Sequence, residues 1–226
     1  MSNPHRYLEP SAKNAFAFAA KGYSWRELLF KGIALKVYSR IVSALRHPLA
    51  ERGRGVDIDH RAVVDGCRYI SLGDGVLVQR GAWLVVPLFD LPAVEERVYL
   101  SIGGGTRVGA NCTISAARRI DIGKDVLFGP NVTVLDHAHA YEDPAVPVSR
   151  QGVVSRGGVR IGDGSWLGAN SIIYSAAGEL SLGEHCVVAG NSFVRDDVPP
   201  FTVVAGNPAR PVRRFDRASG AWVGVE

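Results

Sequence analysis

A chain of 226 residues that is 46% hydrophobic and 21% charged has the balance of a globular protein with a sizeable core, and a single Met with few long helical patterns excludes a helical bundle. The net charge of +4 is local, because residues 1–50 hold eight Lys and Arg against two Glu; the near-neutral remainder excludes an extended nucleic-acid surface. Three Cys (Cys67, Cys112, Cys186) without CxxC spacing exclude a disulfide framework and read as small buried thiols in a reducing cytoplasm, while 26 Gly imply many tight corners.

In chain order, residues 1–23 read as an irregular or weakly helical arm without the basic start and apolar run of a signal peptide. From Ser24, apolar residues recur at three- and four-residue steps (Trp25, Leu28, Leu29, Ile33, Val37, Ile41, Leu45), with Lys31, Lys36, Arg40 and Arg46 among them. Ser24 with Glu27 makes a capping pair and Pro48 a stop, so the spacing predicts one amphipathic α-helix over 24–46. Such a helix packs on its own domain or a neighbouring subunit, or lies on an anionic membrane surface. No stretch approaches the roughly 20 apolar residues of a spanning helix.

From Gly55 the chain repeats itself. Five segments begin apolar-x-apolar-Gly, at Ile70, Leu100, Ile120, Val159 and Leu180, and each opens a coil of three hexapeptides. The inward positions are Leu72/Val78/Leu84, Ile102/Val108/Ile114, Ile122/Phe128/Val134, Ile161/Leu167/Ile173 and Leu182/Val188/Val194, all fifteen apolar. At this composition a fixed phase gives that result by chance only about once in 10⁵ trials, so the repeat is real. Ile58 and Val64 read as an incomplete opening rung. The pattern predicts a triangular solenoid of short parallel strands, with coils stacked about 4.8 Å apart and Gly at the corners supplying the angles of a sharp turn. Intervals beyond eighteen residues place two insertions, near 86–97 and 136–157. Loops of that length in a compact domain are commonly functional. The second opens on Asp136-His137-Ala138-His139. The division is an arm and helix over 1–50, a solenoid over 51–200 and a tail over 201–226.

Four pieces in this order, LFGPNVTVLDHAHAYED, IGDGSWLGANSII, VAGNSFVRDDVPP and VVAGNPARPVRR, resemble the hexapeptide-repeat acyltransferases over roughly 56–214. The likeness is greatest to the maltose- and galactoside-type O-acetyltransferases and their relatives in polysaccharide biosynthesis. The resemblance implies an all-β, left-handed parallel β-helix and an acetyl-CoA-dependent O-acetyltransferase acting on a sugar or glycan hydroxyl. It places His139 at the family's general base, a role suited to imidazole, whose pKa near 6.5 lets it accept a hydroxyl proton at neutral pH. Asp136 would orient a ring, and His137 would support the base or contact the acceptor.

The resemblance also places Trp166, Ala169, Gly190, Gly206, Arg210 and Arg213 along the acetyl-CoA groove, with the Ala169 N–H near the thioester oxyanion and Arg forks on phosphates. Arg195 stands where many relatives carry a phosphate-facing Lys. Gly109 and Ala117 replace acceptor-contacting Asn and Asp, which points away from maltose- or galactose-like acceptors. Direct transfer is expected, since no Ser or Cys nucleophile is paired with His139 by any motif, and no metal is required. A homotrimer with active sites between subunits is implied, cytoplasmic, with a peripheral membrane contact through helix 24–46. Two other readings carry different chemistry: a zinc site of the γ-carbonic-anhydrase type using His137, His139 and His185, and a non-catalytic binding solenoid.

Overall fold

The computed structural model describes residues 47–225 apart from 89, 90, 92 and 176. The expected arm and amphipathic helix, 1–46, lie outside the described residues. The solenoid is built as the periodicity requires. Its first coil holds β1 (Glu51–Arg52), β2 (Asp57–Ile58) and β3 (Val63–Asp65), and its second β4 (Ile70–Leu72), β5 (Leu77–Val78) and β6 (Trp83–Val85). The third holds β7 (Leu100–Ile102), β8 (Arg107–Val108) and β9 (Thr113–Ser115), and the fourth β10 (Ile120–Ile122), β11 (Leu127–Phe128) and β12 (Thr133–Leu135). A short hairpin, β13 (Ala138–His139) and β14 (Val153–Val154), interrupts the stack. The fifth coil follows with β15 (Val159–Ile161), β16 (Trp166–Leu167) and β17 (Ile172–Tyr174), and the sixth with β18 (Leu180–Leu182), β19 (Val187–Val188) and β20 (Phe193–Val194). Strands β21 (Thr202–Gly206), β22 (Ala209–Asp216) and β23 (Ala221–Gly224) close the chain.

Corresponding strands of successive coils pair in parallel and in register, giving three faces. Face A is β1-β4-β7-β10-β15-β18, face B starts β2-β5-β8-β11-β16-β19-β21, and face C is β3-β6-β9-β12-β17-β20. All fifteen inward positions are buried, and they fill the prism. Cys112 and Cys186 lie in the same core, where burial pushes their thiols up and keeps them protonated.

Two expectations are corrected. The opening rung is a complete coil: Arg52 occupies the register position opposite Leu72, so its polarity hid the third hexapeptide. Its guanidinium is only partly buried and reaches the Val56 carbonyl. The repeated Gly is needed for a different reason than supposed. At Gly103 a Cβ would stand 2.5 Å from the Gly123 carbonyl carbon, so Gly is required for close stacking of coils, whereas the left-handed angle falls two residues later, at Gly105 (φ 75°). At the corner between faces B and C that angle is taken by Asn111, Asn131, Asn170 and Asn191, with φ of 57–60°. The amides of the last three form a ladder, Asn131 Nδ2 donating to Asn170 Oδ1 (3.0 Å) and Asn170 Nδ2 to Asn191 Oδ1 (3.1 Å). Finally, the tail is a ribbon: β21 extends face B in parallel, and β22 and β23 add to it antiparallel.

Candidate active site

The chain leaves the fourth coil after Leu135, and the first residue outside the ladder turns inward. Asp136 is fully buried, and its carboxylate accepts three backbone N–H bonds from the preceding coil: Ala117 (2.7 Å), Arg118 (2.8 Å) and Arg119 (2.6 Å). Those donors belong to the turn between β9 and β10, which the ladder leaves without strand partners. A carboxylate there satisfies them. His137 Nδ1 lies 3.0 Å from Asp136 Oδ1, so the orienting carboxylate meets His137 and not His139.

His139 ends β13, opposite Val153 of β14. The hairpin is held at its root by Ser155 Oγ, 2.6 Å from the Asp136 carbonyl, and near its tip by Gln151, whose Nε2 donates to the carbonyls of Asp143 (2.8 Å) and Val146 (2.7 Å). Both imidazoles line a cavity of about 340 Å³ on the outer side of face C, together with Asp65, Trp83, Ser115 and Val153. Sequence reasoning missed Asp65, Trp83 and Ser115. Their signal was available, since a residue flanking an inward position on a three-residue strand must point outward.

The residues expected along an acetyl-CoA groove lie elsewhere on the prism. Trp166 is 51% exposed on the outer side of face B, where its strand neighbours are Leu127 and Val187. Ala169 and Gly190 sit at the B–C corner beside the Asn ladder; Gly129 is packed so closely there that a Cβ would meet Ala169 N at 2.7 Å. The Ala169 carbonyl accepts the Asn191 N–H at 2.9 Å, while its own N–H has no acceptor among the described residues. Gly206 ends β21 with φ 101°, its N–H on Ser192 Oγ. Arg210 and Arg213 lie on β22; Arg210 is paired with Asp196 (2.8 Å), and Arg213 is exposed opposite Val203. Arg195 is exposed just after β20. Within one chain the structure therefore joins Asp136, His137 and His139, and sets the second group on a neighbouring face and corner. Among the described residues no three His, Cys, Asp or Glu side chains are grouped to hold a metal ion, and His185 stacks on Phe201 instead of joining the pair.

The model of the hexapeptide repeat of succinyl-transferase matches residues 158–195, the fifth and sixth coils. The chain is 30% identical over 129 residues to galactoside O-acetyltransferase of Escherichia coli, covering 54% of this chain and 61% of that one. It is 29% identical to the galactoside O-acetyltransferase of Lactococcus lactis, over 54% and 60% respectively. The chain thus spans about three fifths of the length of these curated relatives. Among solved structures, AntD, an N-acyltransferase from Bacillus cereus crystallised with dTDP and 3-hydroxybutyryl-CoA, superposes with a TM-score of 0.61 at 20% identity over 87% of this chain and 91% of that one. A six-coil parallel prism with apolar residues at every sixth position, the matched repeat and these likenesses agree on the fold: the chain is similar to the hexapeptide-repeat acyltransferases and has the left-handed β-helix expected from that resemblance.

Proposed function

We propose that the protein transfers the acetyl group of acetyl-CoA to a hydroxyl of a sugar or glycan, directly and with no acyl-enzyme. The observation that carries this reading is the pair His137 and His139 at one cavity, backed by buried Asp136. A sugar hydroxyl is too weak an acid to attack a thioester unaided, and a positioned imidazole removes its proton as the new C–O bond forms. His139, at the position given by the PNVT motif, accepts that proton, while His137 fixed by Asp136 holds a neighbouring acceptor hydroxyl. The Ala169 N–H, unpaired at its corner, would donate to the oxyanion of the tetrahedral intermediate; the proton then leaves with the CoA thiol. The small residues Ala169 and Gly190 leave room for the pantetheine arm, and Arg195, Arg210 and Arg213 supply cations for its phosphates, Arg210 by exchanging Asp196 for phosphate.

One observation favours a second assignment within the same chemistry. With Nδ1–H donated to Asp136, His137 presents Nε2 as a ready acceptor, so the carboxylate prepares His137 for the role of base. The single alanine variants separate the two, read by free-thiol release from acetyl-CoA. His139→Ala should lower turnover at least ~10²-fold with CoA affinity nearly unchanged, and His137→Ala should do less. The reverse order assigns the base to His137, and full activity in both variants would sink the imidazole mechanism.

The assembly we propose is a cyclic homotrimer with the site between subunits. The outer side of face A is polar, with Ser71 bonded to Glu51 and Ser101 to Asp121. Faces B and C instead expose Leu127 and Trp166, and Ile172. Two apolar faces and one polar face suit a ring in which face B of one prism meets face C of the next. That contact would bring the Trp166 group of one subunit to the histidines of its neighbour.

A further inference from the structure

The cavity at the histidines continues along face C toward the N-terminal coils, past residues that the transfer chemistry does not use. On the face-C strands the outward residues stand in two columns: Val63, Trp83, Thr113, Thr133, and Asp65, Val85, Ser115, Leu135. Trp83 stands two strands from the level of Leu135, about 10 Å at the spacing of neighbouring strands. It is 49% exposed although every strand on that face is paired. Asp65, one strand further, accepts the Gly66 N–H through Oδ1 (2.8 Å), and its other oxygen has no partner among the described residues. Both side chains line the same cavity as His137 and His139, and among the described residues no Lys or Arg lines it.

We propose that Trp83 and Asp65 form a carbohydrate subsite adjoining the histidines, so that the acceptor is an uncharged oligosaccharide of at least two units. The reacting unit sits at the histidines and the next one lies against the Trp83 indole. An aromatic face packs well on the apolar C–H face of a pyranose, and the free carboxylate oxygen of Asp65 accepts its hydroxyl protons. The roughly 10 Å between the Leu135 and Trp83 levels is about the length of two linked sugar rings. A nucleotide sugar would stack its base on an indole equally well. Its phosphates, however, would bring negative charge beside Asp65, and the described residues of this chain line the cavity with no Lys or Arg to balance it, which favours the uncharged acceptor.

The inference rests on the transferase reading, and the test separates the two. Free-thiol release from acetyl-CoA is measured with mono-, di- and trisaccharides and with nucleotide sugars, for the wild type and for Trp83→Ala, Trp83→Phe and Asp65→Asn. The expected result is a kcat/KM at least about tenfold higher for a disaccharide than for its monosaccharide. Trp83→Ala should abolish that advantage through the KM of the oligosaccharide and leave the KM of acetyl-CoA within about twofold, while Trp83→Phe recovers most of it and Asp65→Asn weakens it. Equal use of monosaccharide and disaccharide, or a preference for nucleotide sugars, overturns the proposal. So does a Trp83→Ala protein of smaller sedimenting mass, which would assign the indole to subunit packing. No thiol release with any acceptor would remove the transferase reading itself, and this inference with it.

Discussion

Asp136 occupies the point where the ladder ends, and one carboxylate there supplies acceptors for three N–H groups of the turn 117–119 that the ladder does not pair. Asp136→Asn keeps the shape but turns an NH₂ toward one of those donors. The fold should lose about 1–3 kcal/mol, the usual cost of a buried donor without an acceptor. Denaturant melts should show the loss, and amide exchange at Ala117–Arg119 should quicken; unchanged stability would mean that water takes over the role. The histidines were legible in the sequence, because the six-residue rhythm ends at Val134, three residues before the first of them. Which ring the carboxylate holds was not, since that depends on backbone donors seventeen to nineteen residues earlier. Nor were Trp83 and Asp65 legible as members of the same cavity, because their approach to the histidines follows from strand register and not from spacing along the chain.

At the scale of the element, a coil is specified by side chains that fill and by side chains that must be missing. The filling rule was readable in full, and all fifteen inward positions are core residues. The missing side chains were visible as Gly, but their cause was not, because the close approach is between coils. Gly103→Ala should therefore destabilise by about 1–3 kcal/mol, since its Cβ would stand 2.5 Å from the next coil's backbone, which cannot give way without parting the ladder. Gly178→Ala is the control: a Cβ there meets nothing within 4 Å, and thermal unfolding should be unchanged or slightly raised. Equal effects of the two substitutions would mean that the coils have slack to separate. Asn tolerates the left-handed region, which is why the same four corners carry a non-Gly residue at positive φ, a preference the sequence offered only as the recurrent xN after each Gly or Pro corner.

For the whole molecule, sedimentation at micromolar concentration should give about three times the chain mass of 24.2 kDa if face B closes on face C. Subunits carrying His139→Ala, mixed with subunits altered at Trp166, should then recover part of the activity, because some sites combine the intact half of each. A fully active monomer, or no recovery in well-mixed hybrids, would rule out a shared site. No helix among the described residues is long and apolar enough to cross a membrane. The basic segment 24–46 lies outside them, and binding to anionic vesicles that vanishes at high salt would give it the peripheral role expected of its charge.

The hairpin also marks a seam. Residues 141–150 are exposed and carry no strand, while the pieces on either side each own complete coils: four before it, two and the terminal ribbon after it. The pieces meet through three parallel ladders, β10 on β15, β11 on β16 and β12 on β17, so the covalent link across the tip adds little to what the stacked backbones already hold. A protease cutting within 141–150 should leave two fragments that travel together on a sizing column and separate only in denaturant. Expressed as two separate genes split there, the halves should find each other and rebuild the prism, with the cut hairpin as the one part whose loss the catalytic rate would register.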